Sequence, residues 1–437
     1  MWRESRVSWT SYDCLHAPAS PAEEFATAQE GAVALNVLEA LDIAYFVAIT
    51  MAFFALPVRR WTVGPYTLGL LCVIVRLLPA IVFPYAATYD ITSYNLVANA
   101  VLGGRDVYTA AELVSRDQGG SYPYLPGWDV VVAVAKLASA NDQMLFTKFV
   151  KIPGILADAA IVLFLHHFAG PQMALNHVLS PISILVTAYH GQFDALPLLT
   201  VVAASTMSYP TTSGVMLGLG IWIKTWPAVF IITVFHRFGL RSGMKAAVMA
   251  LTVAAVCAGA VGMITHASVA EVFARVAGYN STTDWRPVGL LRGYGERLGM
   301  RSVAPLMDSW KWFAALGTVI GYTFLARRGE TERATLGLVL LLLVLLPGGS
   351  IQYVSWIGPV ALLAKQSDWF RRWTLLTLPY LVAAYFGVLV LQVLPVRDFV
   401  WRSLSLPSWA MLVLWLRTLF RTSTVATVPD YSPSGAG

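Results

Sequence analysis

MKAAVMALTVAAVCAGAVGMI, residues 244–264, is the stretch of this sequence that decides the fold class. Apart from Lys245 near its start, it carries no charge. A helix needs about 20 apolar residues to cross the hydrocarbon core of a bilayer. The stretch is long enough for this, and it predicts a membrane-spanning helix.

Apolar runs of this kind recur from about residue 33 to residue 420. Of the 437 residues, 57% are hydrophobic and 12% are charged, whereas soluble domains carry about 25% charged residues. Backbone groups in lipid pair within their own helix, and the sequence lacks the short alternating strands of a membrane barrel. It therefore predicts an all-α, polytopic transmembrane helix bundle.

The apolar runs predict about 12–13 spans. They lie near residues 36–57, 64–86, 123–140, 148–167, 172–189, 194–209, 213–235, 244–264, 309–326, 333–347, 353–366, 373–394 and 404–420. The pair near 172–209 is the weakest, because both members are short and contain proline.

Basic clusters orient the spans, since Lys and Arg concentrate in cytoplasmic loops. The clusters are Arg59/Arg60, Lys148/Lys151, Arg237/Arg241/Lys245, Arg327/Arg328, Arg371/Arg372 and Arg417/Arg421. They agree with one another if 172–209 makes two crossings. We then expect a non-cytoplasmic segment over 1–32, a transmembrane domain over 33–421 and a disordered cytoplasmic tail over 422–437.

The remaining composition excludes other classes. The net charge of +6 is spread in pairs over short loops, so we expect no nucleic-acid partner. Three cysteines, two of them inside apolar runs, make no disulfide framework. We expect no cleavable signal peptide at the N-terminus.

Two non-cytoplasmic loops are long, over about 87–122 and 265–308, and both mix aromatic, glycine and charged residues. The first carries Asp90, directly after an apolar run. Its carboxylate suits a general base on the outer face, but an acid at this place is also typical of a helix cap. The residues around it leave both interpretations open.

The run Tyr122-Pro123-Tyr124-Leu125-Pro126-Gly127 closes the same loop. Its prolines and glycine predict a non-helical approach to the next span. Tyr122 and Tyr124 fit either the aromatic belt of a membrane interface or a platform for a sugar ring.

Polar residues also fall within the apolar runs. Lys151 and Asp158 lie on one helix face, which favours a structural ion pair, and Lys224 needs an anionic partner such as Asp158 or a lipid phosphate. The turn that contains His190, Gln192 and Asp194 is placed by the orientation on the cytoplasmic side or dipping into the membrane. We interpret all six residues as structural or lipid-lining.

A possible anion site begins at Gly348-Gly349-Ser350, where the glycines interrupt a span. The next helix would start near Ser350 and turn its N-terminal amides outward, with Gln352 and Tyr353 in its first turn. Arg286 and Arg292 of the second long loop could add charge to the same anion. Solvated loop charges or contacts with lipid headgroups are the alternative for the arginines.

Taken in order, these motifs resemble a family. Asp90 precedes Tyr94, and then come Gly104-x-x-x-Tyr108, the 122–127 run, Gly191-Gln192-x-Asp194, Lys224-x-x-Pro227 and Gln352-Tyr353-x-x-Trp356. Over about residues 64–395 the chain resembles the GT-C class of integral-membrane glycosyltransferases, in particular polyprenyl-phosphate-mannose-dependent mannosyltransferases. Each motif is weak alone, and their order is more specific.

The resemblance implies an inverting transfer of a sugar, with mannose expected, from a polyprenyl-phosphate donor to a hydroxyl of a glycolipid or glycan acceptor. It implies Asp90 as the base, Arg286, Arg292, Gln352 and Tyr353 at the donor phosphate, and Tyr94, Tyr122, Tyr124, Trp285 and Trp356 at the sugar or acceptor. Some members of the class carry paired acids that bind a metal. Here no acid adjoins Asp90, and Asp106 is sixteen residues away. We therefore expect no metal and no other cofactor.

We expect a monomer in contact with membrane lipids, multi-pass in a bacterial plasma membrane with the site outside, or in the ER membrane of a eukaryote. Two other functions remain open. A lipid-linked oligosaccharide ligase or polymerase would work on the same face with a diphosphate leaving group. A secondary transporter would use Lys151, Asp158 and Lys224 as an ion path, but the inverted repeats typical of that class are not visible.

Overall fold

The structure is a computed structural model that describes residues 37–56, 62–82, 88–108, 124–265, 303–327, 330–346, 349–387 and 403–422, with positions 270, 272, 287 and 290 between them. The described residues form an all-α bundle, as the sequence predicts.

The first half of the bundle contains α1 (Val37–Ala55), α2 (Pro65–Val82), α3 (Thr88–Leu102), α4 (Pro126–Ala138), α5 (Gln143–Phe149), α6 (Ile152–Phe168), α7 (Pro171–Val178) and the short α8 (Pro181–Ser183). A π-helix over Ile184–Tyr189 continues α8, and α9 (Ala195–Thr206) and α10 (Pro210–Ile223) follow.

In the second half, a 3-10 helix (Trp226–Phe230) leads into α11 (Ile231–Thr265), which is broken by a kink at Gly239. Next come α12 (Val303–Ala326), α13 (Thr331–Leu345), a 3-10 helix (Ile351–Trp356), α14 (Ile357–Leu363) and α15 (Ser367–Val382). A π-helix (Ala383–Gly387) and α16 (Ser405–Thr422) complete the described chain.

Glycines allow two of these helices to pack unusually closely. A Cβ atom at Gly214 would lie 2.4 Å from the carbonyl oxygen of Ala246, and one at Gly218 would lie 2.6 Å from that of Ala250. Small residues four apart are the usual means by which membrane helices approach each other. From the first contact to the second, the sequence advances by four residues in both helices, so α10 and the later part of α11 run parallel.

Three helical segments of the described chain are long and apolar enough to cross a membrane: Pro65–Val82, Gln143–Phe168 and Trp226–Met263. Five shorter helices are also apolar. The region predicted as a span over 123–140 forms only the 13 residues of α4, about 20 Å of helix, which is short of a bilayer core of about 30 Å. The α4 helix packs on α3 instead.

This packing contradicts the prediction that Asp90 and Lys151 lie on opposite sides of the membrane. Lys151 is expected on the cytoplasmic side, yet it packs against Gly191. A Cβ atom added to Gly191 would lie 3.1 Å from Lys151 Cε and 3.3 Å from Ile91. Asp90 and the start of α6 are therefore at the same end of the bundle. The sequence predicts opposite sides because the 123–140 run reads as a crossing, and without that crossing Lys148/Lys151 and the 190–194 turn fall on the side of Asp90.

Candidate active site

Asp90 lies in the first turn of α3. The unpaired amides of a helix N-terminus favour a negative charge there. Its side chain is 21% exposed, in contrast to the 7% of its neighbour His190. Asp90 is thus an acid that solvent or a substrate can reach at the edge of a buried polar group.

Two side chains from the 190–194 turn hold this carboxylate. His190 Nε2 lies 2.9 Å from Asp90 Oδ2, and Gln192 Nε2 donates to the same oxygen at 2.5 Å. Both bonds from described residues fall on Oδ2. The turn was expected on the cytoplasmic side or dipping into the membrane, in a structural or lipid-lining role. Because the turn reaches Asp90, both lie on the same side of the membrane, so the turn cannot be cytoplasmic while Asp90 is outside.

The local sequence explains how the turn reaches so far. Ser180-Pro181 breaks the preceding span after α7, and a π-helix carries the chain to His190. Gly191 then adopts φ +83°, a left-handed conformation that favours glycine. Irregular segments of this kind inside helices are frequent at functional sites.

Tyr385, a residue not anticipated from the sequence, completes the polar group. Its hydroxyl lies 2.7 Å from His190 Nδ1, so the imidazole lies between Asp90 and Tyr385. Tyr385 belongs to the π-helix after α15. The sequence does not indicate its role, because it lies far along the chain from the other motifs and a tyrosine near the end of an apolar run is common.

A cluster of aromatic side chains packs against Gln192 of this polar group. Tyr94 is fully buried and donates from its hydroxyl to Gln192 Oε1 at 3.3 Å. Its ring packs edge-on against Trp128 and Phe193, and these two stack on each other at 3.9 Å. The predicted contact of Tyr94 with sugar is therefore wrong, since its ring is covered by other rings.

Tyr124 is, like Tyr94, covered by its neighbours. It is buried, and its carbonyl accepts a bond from the Tyr108 hydroxyl at 3.1 Å. Burial, together with the charges of Asp129 and Asp106, raises the pKa of Tyr108 well above its ordinary value, which keeps the hydroxyl protonated as a donor. The Tyr124 ring faces Lys224, so it forms no open sugar platform.

Lys224 forms a buried ion pair with Asp194, its Nζ lying 3.0 and 2.9 Å from the two carboxylate oxygens. The rings of Phe193, Tyr124 and Tyr353 lie 4.8, 5.2 and 5.9 Å from the ammonium group. The prediction that Lys224 needs an anionic partner is confirmed. The suggested partner, Asp158, is wrong.

The segment expected to bind an anion lies against this ion pair. Trp356 donates from Nε1 to Asp194 Oδ1 at 2.7 Å and stacks on Trp226 and Tyr353 at 4.3 and 4.4 Å. It is buried, so its ring packs rather than binds sugar. Gln352 is also buried and accepts a bond from Ser350. The segment forms a 3-10 helix of six residues, not the α-helix start that was expected.

Asp158 has a different set of partners, deep in the bundle. It accepts from Arg76 Nε at 2.7 Å and Ser183 Oγ at 2.6 Å and contacts His177 at 3.0 Å. Lys151 instead donates to the carbonyl of Tyr189 at 2.7 Å. The predicted ion pair between Lys151 and Asp158 is wrong. An arginine inside an apolar run, Arg76, was the sequence signal that was overlooked.

Tyr122, Trp285, Arg286 and Arg292, which were also predicted as site residues, lie outside the described residues. Their roles stay predictions, and so does the absence of a metal.

Comparison with known proteins supports the family suggested by the motifs. A family model described as glycosyltransferase family 87 matches residues 128–347. The match contains the 190–194 turn and Lys224, and it begins after Asp90. No curated protein and no solved structure matched the chain. The family match covers half of the chain, and the protein belongs to glycosyltransferase family 87, a membrane glycosyltransferase of the GT-C type.

Proposed function

We propose that this glycosyltransferase moves a sugar, mannose, from a polyprenyl-phosphate donor to a hydroxyl of a glycolipid or glycan on the non-cytoplasmic face. The observation that carries the proposal is the Asp90 carboxylate, partly exposed and held on one oxygen by His190 and Gln192. The choice of mannose rests on the resemblance of the motifs to mannosyltransferases.

Asp90 acts as the general base. Because the bonds from His190 and Gln192 both fall on Oδ2, Oδ1 is the oxygen we assign to the acceptor hydroxyl. The hydroxyl oxygen attacks the anomeric carbon and its proton passes to Asp90. The electron pair of the bond to phosphate leaves with the polyprenyl phosphate. One displacement of this kind inverts the anomeric configuration.

The leaving phosphate gains negative charge, and fixed cations nearby stabilise it. Lys224 is a poor candidate, since Asp194 already matches its charge at 2.9 Å. Arg286 and Arg292 remain the proposed phosphate ligands. Tyr353 supports the site through its ring contact with Lys224 rather than through a helix N-terminus, and Gln352, which accepts a bond from Ser350, stays a proposed phosphate ligand.

The donor has lipid character, so it is delivered from the bilayer beside the apolar helices, and the acceptor is held in the pocket at the Asp90 end. Holding them in one geometry supplies much of the rate enhancement. We propose that the protein works as a monomer in a bacterial plasma membrane and needs no metal or other cofactor.

The direct test uses purified protein with radiolabelled polyprenyl-phosphate-mannose and a panel of glycolipid acceptors. We expect labelled acceptor of inverted configuration, with no transfer from polyprenyl-diphosphate-linked sugars or from nucleotide sugars. Transfer from a diphosphate donor alone would support a ligase or polymerase instead. A matched reaction with EDTA checks the metal, and full activity in EDTA is the expected result.

A further inference from the structure

The His190 ring joins two side chains from distant parts of the sequence. Its Nε2 lies 2.9 Å from Asp90 Oδ2, and its Nδ1 lies 2.7 Å from the Tyr385 hydroxyl. His190 and Tyr385 are both buried. The order is therefore an acid at the solvent edge, then an imidazole, then a phenol in the interior.

The hydrogen bonds restrict where the imidazole carries its proton. An ionised Asp90 only accepts, so His190 Nε2 must donate. In a neutral ring this leaves Nδ1 as an acceptor, and the proton that it accepts comes from the Tyr385 hydroxyl. The neutral ring thus points Nε2–H at Asp90 and Nδ1 at Tyr385.

We propose that Tyr385 is a positioning residue, which acts on Asp90 only by holding His190 with its proton on Nε2. This inference rests on the proposed function, because it takes Asp90 as the base. Without the Tyr385 hydroxyl, the buried Nδ1 loses its partner, and only the bond to Asp90 still favours the tautomer with its proton on Nε2. Oδ2 is then held less firmly, and Oδ1 is aimed less well.

The surroundings of Tyr385 allow its hydroxyl to be removed alone. Its ring packs edge-on against Tyr189 at 5.9 Å and against His190 at 5.5 Å. Phenylalanine keeps both ring contacts, so Tyr385→Phe is expected to fold as the wild type does. Tyr322→Phe is the matched control, since Tyr322 is equally buried and lies in α12, away from Asp90.

The test is a double-mutant cycle on sugar transfer. Tyr385→Phe should lower kcat about five- to tenfold, the worth of one buried hydrogen bond, with the KM for donor unchanged. His190→Gln offers an amide N–H to Asp90 that has no tautomer to set. In that background, Tyr385→Phe should cost nothing further. An equal loss in both backgrounds would mean a structural role and would overturn the proposal.

Histidine NMR gives a second measurement on the wild type. The chain has seven histidines, and ¹⁵N-histidine labelling with His190→Gln for assignment identifies the ring. We expect a protonated Nε2, and an unprotonated one would contradict the proposal. Asp90→Asn separates the two levels. If Asp90→Asn is inactive while Tyr385→Phe matches the wild type, only the positioning role fails. If Asp90→Asn is fully active, Asp90 is not the base, and the mechanism on which the positioning role depends fails; if the wild type transfers no sugar, the proposed function fails.

Discussion

At the residue scale, the decisive feature is that one short turn serves two polar groups. His190 and Gln192 bind Asp90, while Asp194, two residues on, binds Lys224 and Trp356. The Lys224 ammonium group has its own carboxylate in Asp194, while Asp90 is held by the neutral amide of Gln192 and by His190.

The Lys224–Asp194 pair gives a prediction on stability. Asp194→Asn should leave the buried ammonium without its counter-charge and cost about 3–5 kcal/mol. The double variant Asp194→Leu with Lys224→Met removes both charges, and it should unfold at a higher temperature than Asp194→Leu alone. Thermal unfolding in detergent measures both. Equal midpoints for the single and double variants would show that the pair is not coupled.

At the element scale, the turn depends on Gly191. A Cβ there would meet Lys151 at 3.1 Å and Ile91 at 3.3 Å, and φ is +83°. Gly191→Ala should therefore push the turn away from Asp90 and reduce kcat by about 100-fold, in the range of a lost general base.

Gly170→Ala is the control for this prediction. Gly170 also has positive φ, at +101°, but its Cβ would meet nothing within 4 Å. It lies between α6 and α7, where only the backbone strain of about 1–3 kcal/mol applies. Gly170→Ala should lose some stability and keep its activity. Similar activity losses in the two variants would show that strain alone explains the effect.

Some elements could be predicted from the sequence and others could not. The long apolar runs predicted α2 and α11, because length and hydropathy decide a membrane helix. The 123–140 run failed as a span, since Pro126 and Gly127 shorten the helix and Trp128 turns inward. The bond from His190 to Asp90 spans 100 residues, and no local pattern reports such a contact.

At the scale of the whole molecule, the fold gathers distant helix ends at one face. The start of α3, the ends of α10 and α15, and the 190–194 turn all meet near Asp90. Arg237, next to the kink of α11, binds the carbonyl of Ala204 at the far end of α9. Asp90 and Arg237 therefore lie at opposite ends of the bundle. The proposed function requires the Asp90 end to be outside.

Cysteine labelling tests this orientation. In a background lacking Cys14, Cys72 and Cys257, Asp142→Cys marks the Asp90 end and Arg241→Cys marks the other, both at exposed positions. An impermeant maleimide added to intact cells should label only Asp142→Cys, and detergent should expose both. Labelling of Arg241→Cys alone from outside would place the site in the cytoplasm.

The central claim is that Asp90 is the base, and kcat of Asp90→Asn tests it most directly. Asparagine keeps the shape and cannot take a proton, so kcat should fall about 100-fold or more. Asp368→Asn is the control, an exposed acid in the first turn of α15, and it should transfer sugar at the wild-type rate. If Asp90→Asn, folded and purified, also transfers sugar at the wild-type rate, Asp90 is not the base.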